Sequence, residues 1–384
     1  MCVCVCVMLR CCECCMSLCA DFFLSFYDIF FPFSVLFFFF FFFFPTDGGH
    51  YVPNTVKQIQ TSNANLPSGS KEIINIKGFA VGNGYTDWQL DFNANVENGR
   101  YHALTSSALF QKAQDACDGN FARCFWPRKN VECPKDCNDA VQNAVTNAMD
   151  GSIDIYDIYE DVCLEAGQDR LHTQMSTLLG HRQDALREAL DREQVSLMDD
   201  EQKERSLRVT ISPVFPTCID NYSAKYLNDP KVQMAIHVRP KTIPNGKWSD
   251  CGNVQYDFNY DSELPNYKEW TAKGDLEILI YNGDADYILS HMGNSAWIND
   301  GLNLTKNQEW TKWHGSDGQI AGYFERYQTG NAKHPLSFLT VKGAGHMVPR
   351  DRPRHAYDFF AKFLNGGDYD KVMKAAETPL CAAP

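Results

Sequence analysis

The chain has 384 residues, enough for one large domain or two small ones, and its 48 acidic and 35 basic side chains give a formal net charge of -13. This acidic balance argues against a nucleic-acid partner, because proteins that bind nucleic acid present a basic face. The sequence has no His-Glu-x-x-His motif of the kind that zinc peptidases use, and no metal or organic cofactor is expected.

Residues 1–46 differ in composition from the rest of the chain. Eight of the 16 cysteines precede residue 20, and 14 of the 26 phenylalanines precede residue 45. The apolar segment 22–44 suggests membrane association, but Asp28 and Pro32 interrupt it, and its unbroken part is shorter than the ~20 residues of a bilayer span. It also lacks the charged start and the cleavage site of a signal peptide. We interpret 1–46 as non-globular, with a hydrophobic anchor as the alternative.

A translated intron is our hypothesis for the origin of this segment. The Cys-Val alternation at 2–7 is what a TG repeat encodes, and the Phe run at 37–44 followed by Pro45 has the appearance of a pyrimidine tract before a splice acceptor. Sequencing the transcript across this junction tests the hypothesis, since a spliced message that encodes the Phe run would exclude it.

From residue 47 onward, helices and strands alternate with glycine-rich turns. Residues 51–60 have the pattern of a helix. Residues 72–81 are rich in Ile and Val and predict a buried strand that ends at the Gly-Asn-Gly sequence at 82–84. A functional role for Asn83 is one interpretation, but an asparagine in such a position is more often a turn former, which is the role that we favour.

From about residue 96 to residue 208 the sequence pattern changes. Residues 138–149 place Ala and Val side chains on one helical face. Residues 182–208 are dense in charges of both signs and predict a surface helix with a linker.

Eight cysteines follow residue 100, which indicates an oxidising compartment. Four of them cluster between residues 117 and 137 without a Cys-x-x-Cys pair, so nested disulfides Cys117–Cys137 and Cys124–Cys133 are favoured over a zinc cluster.

Two later strands each lead into a turn with titratable side chains. Residues 276–281 lead into Asp284 and Asp286, and residues 336–341 lead into His346. Because α/β folds keep their chemistry at the carboxyl ends of parallel strands, both turns are candidate active-site segments. An aspartate in a turn is more often a turn former, and a lone histidine is more often structural.

Four segments together resemble the serine carboxypeptidase family, whose members are secretory α/β-hydrolases with a Ser/Asp/His triad. The Gly-Gly-His-Tyr-Val-Pro sequence at 48–53 is similar to the end of the family's nucleophile elbow, and 82–84 is similar to its Gly-Asn-Gly turn. Residues 282–287 are similar to the turn that bears the triad aspartate, and 343–349 to the turn that bears the triad histidine. The resemblance implies an α/β-hydrolase core with an inserted, mainly helical cap.

The resemblance also implies roles for individual residues. Asp286 and His346 would be the catalytic acid and base, in the chain order of α/β-hydrolases. The family's serine would stand at position 46, where Thr46 is found, and a β-branched residue suits the strained elbow badly. The backbone N–H of Asp47 would help to bind the oxyanion, and Met347 would line the pocket of the leaving residue.

Several family features have no counterpart in this sequence. Pro45 replaces a glutamate that helps to bind the substrate's carboxylate, and the upstream Trp-x-Asn-Gly-Gly-Pro-Gly stretch and several core strands are not found. We therefore expect an N-terminally incomplete member that is inactive as written and folds poorly, because missing strands expose sheet edges.

The expected organisation has four segments. Residues 1–46 are non-globular, 47–95 are the first part of the hydrolase core, 96–215 are the cap, and 216–384 are the second part of the core.

The resemblance further implies a disulfide between Cys163 and Cys218 in the cap. Asn221 and Asn303 begin Asn-x-Ser/Thr sequences, which would be glycosylated in a secreted chain.

The expected function is that of a serine-type carboxypeptidase acting on peptide or protein C-termini in the secretory pathway, in a lysosome or vacuole or outside the cell. Two alternatives stay open. One is a non-catalytic relative tethered to a membrane through 22–44, which fractionation would reveal. The other is an acyltransferase of the same fold, which assays on blocked dipeptides and activated acyl esters would separate.

Overall fold

The structure is a computed structural model that describes residues 36–39, 48–128, 131–162, 219–238, 247–248 and 261–370. Thr46, Asp47, Cys163 and Cys218 lie outside the described residues, as does the helix predicted over 182–208. The chain divides into two compact units, which are residues 1–98 with 260–384, and residues 99–259.

The first unit is built on a six-stranded mixed sheet with the order β1-β2-β3-β6-β5-β4. Its strands are β1 (Leu36–Phe39), β2 (Ile76–Gly82), β3 (Glu277–Gly283), β4 (Lys306–His314), β5 (Ile320–Tyr327) and β6 (Leu336–Val341). β1, β2, β3 and β6 are parallel neighbours, and β5 and β4 continue the sheet in antiparallel orientation. The expected α/β class is confirmed.

Helices follow or connect the strands. In chain order they are α1 (Gly48–Ala64), α2 (Trp88–Tyr101), α3 (Ser107–Cys117), α4 (Ala122–Phe125), α5 (Lys135–Met149), α6 (Ile219–Leu227), α7 (Pro230–Ala235), α8 (Leu264–Lys273), α9 (His291–Ala296), a π-helix (Trp297–Leu302), α10 (Val348–Asp351) and α11 (Pro353–Leu364). Among the described residues, no helix is both long and apolar enough to cross a bilayer.

Both faces of the central strands are buried. Ile280 of β3 belongs to a core cluster with Val56 of α1, whereas its neighbour Leu279 belongs to a second cluster with Phe359 of α11. Successive side chains of a strand point to opposite faces, so a run of apolar residues is what a sheet covered on both sides requires.

Strand β1 comes from the Phe-rich segment. Leu36–Phe39 pair in parallel with β2, with Phe39 opposite Ala80. Aromatic and branched residues fit a pleated surface, which explains how such a run can pair with a strand. Part of the segment that we expected to be non-globular thus lies at the edge of the sheet.

The second unit is helical in the part that the structure describes. Cys117 at the end of α3 is bonded to Cys137 in α5 with an S–S distance of 2.03 Å. Cys124 in α4 is bonded to Cys133 with an S–S distance of 2.06 Å. These are the two nested pairs that the cysteine spacing favoured, and they tie α3, α4 and α5 together.

Helix α1 lies very close to the turn after β2. A Cβ atom on Gly49 would lie 1.8 Å from the carbonyl oxygen of Tyr85, so only glycine fits there. A Cβ on the neighbouring Gly48 would meet nothing within 4 Å. The start of α1 therefore requires glycine at position 49 and not at position 48.

Replacing Gly49 by alanine is expected to lower the free energy of unfolding by about 3 kcal/mol, because a backbone oxygen cannot move aside as a flexible side chain can. Gly48→Ala is the matched control and should change the free energy of unfolding by about 1 kcal/mol or less. Urea unfolding of both variants measures the difference, and equal midpoints would contradict the close contact.

Candidate active site

Three adjacent parallel strands, β2, β3 and β6, end at the same edge of the sheet. Asn83 directly follows β2, Asp286 follows β3 by three residues, and His346 follows β6 by five. Each lies in a glycine-containing turn, as the sequence indicated. In α/β folds this edge is where ligands bind and chemistry occurs.

The structure brings Asp286 and His346 into direct contact. Nδ1 of His346 lies 2.9 Å from Oδ2 of Asp286, the distance of a charge-assisted hydrogen bond. The Asp286 side chain is fully buried, whereas 12% of the His346 side chain is exposed. A buried carboxylate thus holds an imidazole that reaches the surface.

The turns that carry these two residues are joined by hydrogen bonds. The Gly343 N–H donates to Oδ1 of Asp284 at 2.6 Å, and the Ala285 N–H donates to the Ala344 carbonyl at 2.9 Å. A Cβ on Gly283 would lie 2.3 Å from that Ala344 oxygen, so glycine is required for the close approach. Of the two aspartates in the turn, Asp284 bonds backbone and Asp286 bonds the histidine.

A further carboxylate, that of Asp351 in α10, supports the turn that carries His346. Oδ2 of Asp351 accepts from the Gly345 N–H at 2.8 Å, and Oδ1 of Asp351 accepts from Nε of Arg350 at 2.7 Å. Met347, expected to line a substrate pocket, is half-buried and lies between His346 and the first turn of α10.

Asn83 contacts the same carboxylate from the turn after β2. Its Nδ2 donates to Oδ2 of Asp286 at 2.8 Å, and its Oδ1 accepts from the Gly283 N–H at 3.1 Å. The sequence favoured a turn former over a functional residue at Asn83 and did not indicate this contact. The signal that could have found this contact is the position of Asn83 just past a strand that neighbours β3.

The first turns of α1 are anchored by a buried glutamate. Nδ2 of Asn54 donates to Oε1 of Glu263 at 2.7 Å, and Nδ1 of His50 lies 3.3 Å from the same oxygen. Glu263 immediately precedes α8 and is 1% exposed. Its role had no signal in the sequence, because the partners are more than two hundred residues apart.

The segment after the Gly-Asn-Gly turn is held by Asp91 of α2. Oδ2 of Asp91 accepts from the N–H groups of Thr86 and Asp87 at 2.8 and 2.7 Å. Burial raises the pKa of the Asp91 carboxyl to about 7, and these two hydrogen bonds offset only part of that effect.

The arrangement of Asp286 and His346 is suited to proton transfer. A carboxylate that accepts from Nδ1 fixes the ring orientation and the tautomer, so Nε2 is the atom that takes or gives a proton. Within the described residues, no group of metal-ligating side chains converges on this pair. The positions expected to supply a nucleophile and an oxyanion donor, Thr46 and Asp47, lie outside the described part, just before α1 begins.

The sequence profile described as serine carboxypeptidase matches residues 40–366 of this chain. Serine carboxypeptidase 24 of Arabidopsis thaliana is 32% identical over 321 residues, which are 83% of this chain and 59% of that protein. The lysosomal protective protein of Mus musculus is 30% identical over 307 residues, which are 77% of this chain and 60% of that protein. The chain thus spans about three fifths of the length of these relatives.

A solved structure has a similar fold. It is Kex1(Δ)p, a prohormone-processing carboxypeptidase from Saccharomyces cerevisiae, with a TM-score of 0.54 and 16% identity over 91% of this chain and 65% of that chain. At this identity the similarity concerns the fold, and it agrees with the α/β-hydrolase class expected from the sequence.

Proposed function

The chain belongs to the serine carboxypeptidase family, and on this premise we propose that Asp286 and His346 are the acid and base of a site that hydrolyses C-terminal peptide bonds. The single observation that carries the proposal is the 2.9 Å contact between His346 Nδ1 and a fully buried Asp286 carboxylate. Its substrates would be the C-termini of peptides or proteins, without a metal or organic cofactor.

The proposed chemistry follows from the positions of the protons. With a hydroxyl nucleophile before α1, Nε2 of His346 takes the hydroxyl proton as the oxygen attacks the carbonyl, and then returns it to the leaving amine. Asp286 keeps its negative charge and stabilises the imidazolium that forms between these two steps. Backbone N–H groups, including that of Asp47, would hold the oxyanion.

We further propose that the chain as written turns over substrate poorly. Position 46 carries threonine where the family has its serine, and Cβ branching would restrict the side chain in a strained elbow like that of the family. The flanking Phe44 and Pro45 replace the small and acidic residues of the family's elbow.

A comparison of two substrate classes tests the reaction. The Thr46→Ser chain would be incubated with blocked dipeptides and, separately, with an activated acyl ester and an alcohol acceptor. Release of the C-terminal amino acid is expected to exceed acyl transfer. Acyl transfer without peptide hydrolysis would assign the site to an acyltransferase instead. If the protein catalyses neither reaction and stays bound to membranes after extraction with salt, the tethered, non-catalytic alternative is favoured.

The secretory pathway is the compartment that we propose, with a lysosome, a vacuole or the cell exterior as the destination. Disulfides in the second unit and one relative named as a lysosomal protein support it. Asn303 is exposed directly after the π-helix, where an enzyme could modify it. The side chain of Asn221, the other glycosylation candidate, lies outside the described part. Treatment of the secreted chain with an N-glycosidase should therefore reduce its mass.

Asp91 should make the first unit more stable in acid. The pKa of Asp91 is raised from 3.8 to about 7 in the folded protein. The contribution of Asp91 to the free energy of unfolding is therefore complete below pH 3.8 and is lost as the pH rises through about 7. The loss amounts to as much as about 4 kcal/mol. Asp91→Asn keeps an oxygen acceptor for the two N–H donors and should abolish this pH dependence. Urea unfolding at about pH 4.5 and about pH 7.5 measures it.

The exposed Asp300 provides the control for this experiment. Asp300→Asn should leave the pH dependence as it is in the unmodified chain. An Asp91→Asn variant that lost stability with rising pH as steeply as the unmodified chain would show that other groups cause the loss.

A further inference from the structure

Asn83 has a backbone conformation that fixes where its side chain points. Its φ of 44° is left-handed, a region that asparagine tolerates better than most residues, and its N–H donates to the Tyr281 carbonyl of the neighbouring strand at 2.9 Å. Asn83 is 2% exposed, so both ends of its amide must find partners inside the protein.

The orientation of the amide is determined by its two contacts. Oδ1 faces the Gly283 N–H at 3.1 Å, so it must be the acceptor, and Nδ2 therefore faces Oδ2 of Asp286 at 2.8 Å. In a flipped amide, Nδ2 would face the Gly283 N–H, donor against donor, and Oδ1 would face Oδ2 of Asp286, oxygen against oxygen.

The oxygen that Asn83 contacts is the one that holds the histidine. Oδ2 of Asp286 accepts from both Asn83 and His346, while Oδ1 accepts from the Leu289 N–H at 3.1 Å. Donors from three different segments thus hold a carboxylate that has no exposed surface. If the amide were lost, the carboxylate could rotate about its own side-chain bonds and carry the imidazole with it.

We propose that Asn83 is a positioning residue that holds the Asp286 carboxylate in the orientation needed to align His346. The proposal rests on the proposed function, because the alignment of His346 serves catalysis only if His346 is the base. A neutral amide suits the task, because it bonds the carboxylate without cancelling the charge that stabilises an imidazolium. The other carboxylates at these turns, Asp284 and Asp351, accept from the backbone N–H groups of Gly343 and Gly345.

The test observes the Nδ1 proton of His346 by NMR in the chain labelled with ¹⁵N-histidine. His346→Gln identifies the signal by its absence. Asn83→Gly removes the amide while keeping a residue that adopts positive φ, and it should accelerate exchange of this proton with solvent about tenfold, because the carboxylate that holds it becomes mobile.

Asn63→Ala is the matched control. The Asn63 amide is also bonded at both ends, because its Nδ2 donates to the Ile74 carbonyl at 2.7 Å and its Oδ1 accepts from the Ile74 N–H at 2.9 Å, and neither contact involves the turns of Asp286 and His346. The control should lose stability without changing the exchange of the His346 proton. A purely structural role for Asn83 would make the two variants behave alike, with unchanged exchange in both, and this result would overturn the proposal.

A second variant keeps the shape of the side chain. Asn83→Asp places a second carboxyl group against Oδ2 of Asp286, and a close carboxyl pair of this kind shares a proton. The His346 proton signal should therefore match that of the unmodified chain in acid and weaken relative to it as the pH rises and the shared proton is lost. A signal that is insensitive to pH in this variant, while the other histidine signals remain dispersed, would also overturn the proposal. None of these measurements needs catalytic turnover. A failure of the positioning role of Asn83 can therefore be told apart from a failure of the proposed peptide hydrolysis.

Discussion

Replacing Thr46 by serine is expected to create a nucleophile that reacts with a fluorophosphonate at least about 10²-fold faster than the unmodified chain. Serine lacks the methyl group of threonine, which a strained elbow of the family's kind would accommodate badly, and the base proposed to activate it is held by Asp286. Mass spectrometry of the labelled protein measures the rate and locates the adduct on residue 46.

Two further chains make this experiment decisive. Thr46→Ala should show the same slow background as the unmodified chain, and Thr46→Ser combined with His346→Ala should return to that background. Rapid labelling of the unmodified chain at Thr46, abolished in Thr46→Ala, would contradict the proposal that threonine is a poor nucleophile here.

The second large effect concerns the two aspartates that follow β3. In the Thr46→Ser chain, Asp286→Asn should lower kcat for a blocked dipeptide about 10⁴-fold, because an amide cannot stabilise the imidazolium and favours the wrong tautomer. Asp286 bonds His346 Nδ1 at 2.9 Å, whereas Asp284 accepts from the Gly343 N–H at 2.6 Å. Steady-state kinetics of the variants provide the measurement.

Asp284→Asn is the matched control, since it changes a neighbouring carboxylate in the same turn. Its amide oxygen can still accept from Gly343, so kcat should fall less than about tenfold. Equal losses in the two variants would mean that the turn as a whole matters and that Asp286 has no separate role.

Several elements could be predicted from the pattern of residues alone. The strand over Leu336–Val341 has the predicted bounds, and the helix expected over 51–60 is the centre of α1. Both elements depend on neighbouring residues only. The strand is indicated by a short apolar run before a glycine-rich turn, and the helix by a helical repeat after a Gly-Gly pair.

Other elements were missed because their signals are weak or distant. The antiparallel strands β4 and β5 contain charged and polar residues, such as Lys306 and Glu325, that hide the strand pattern. In the structure these two side chains form an ion pair at 2.7 Å across the strands, which makes the polar composition compatible with a sheet.

The sequence by itself indicated the nested disulfides and the turns in which Asp286 and His346 lie, because these depend on residue type and short spacing. The resemblance to the serine carboxypeptidase family implied the fold class and selected Asp286 over Asp284. Only the tertiary structure showed the contact between Asp286 and the histidine, and that Asn83 bonds the same carboxylate oxygen. Asn83 and Asp286 are 203 residues apart, and they meet because β2 and β3 are neighbours in the sheet. Such contacts depend on strand order, which is settled by packing the whole sheet and leaves no local trace in the chain.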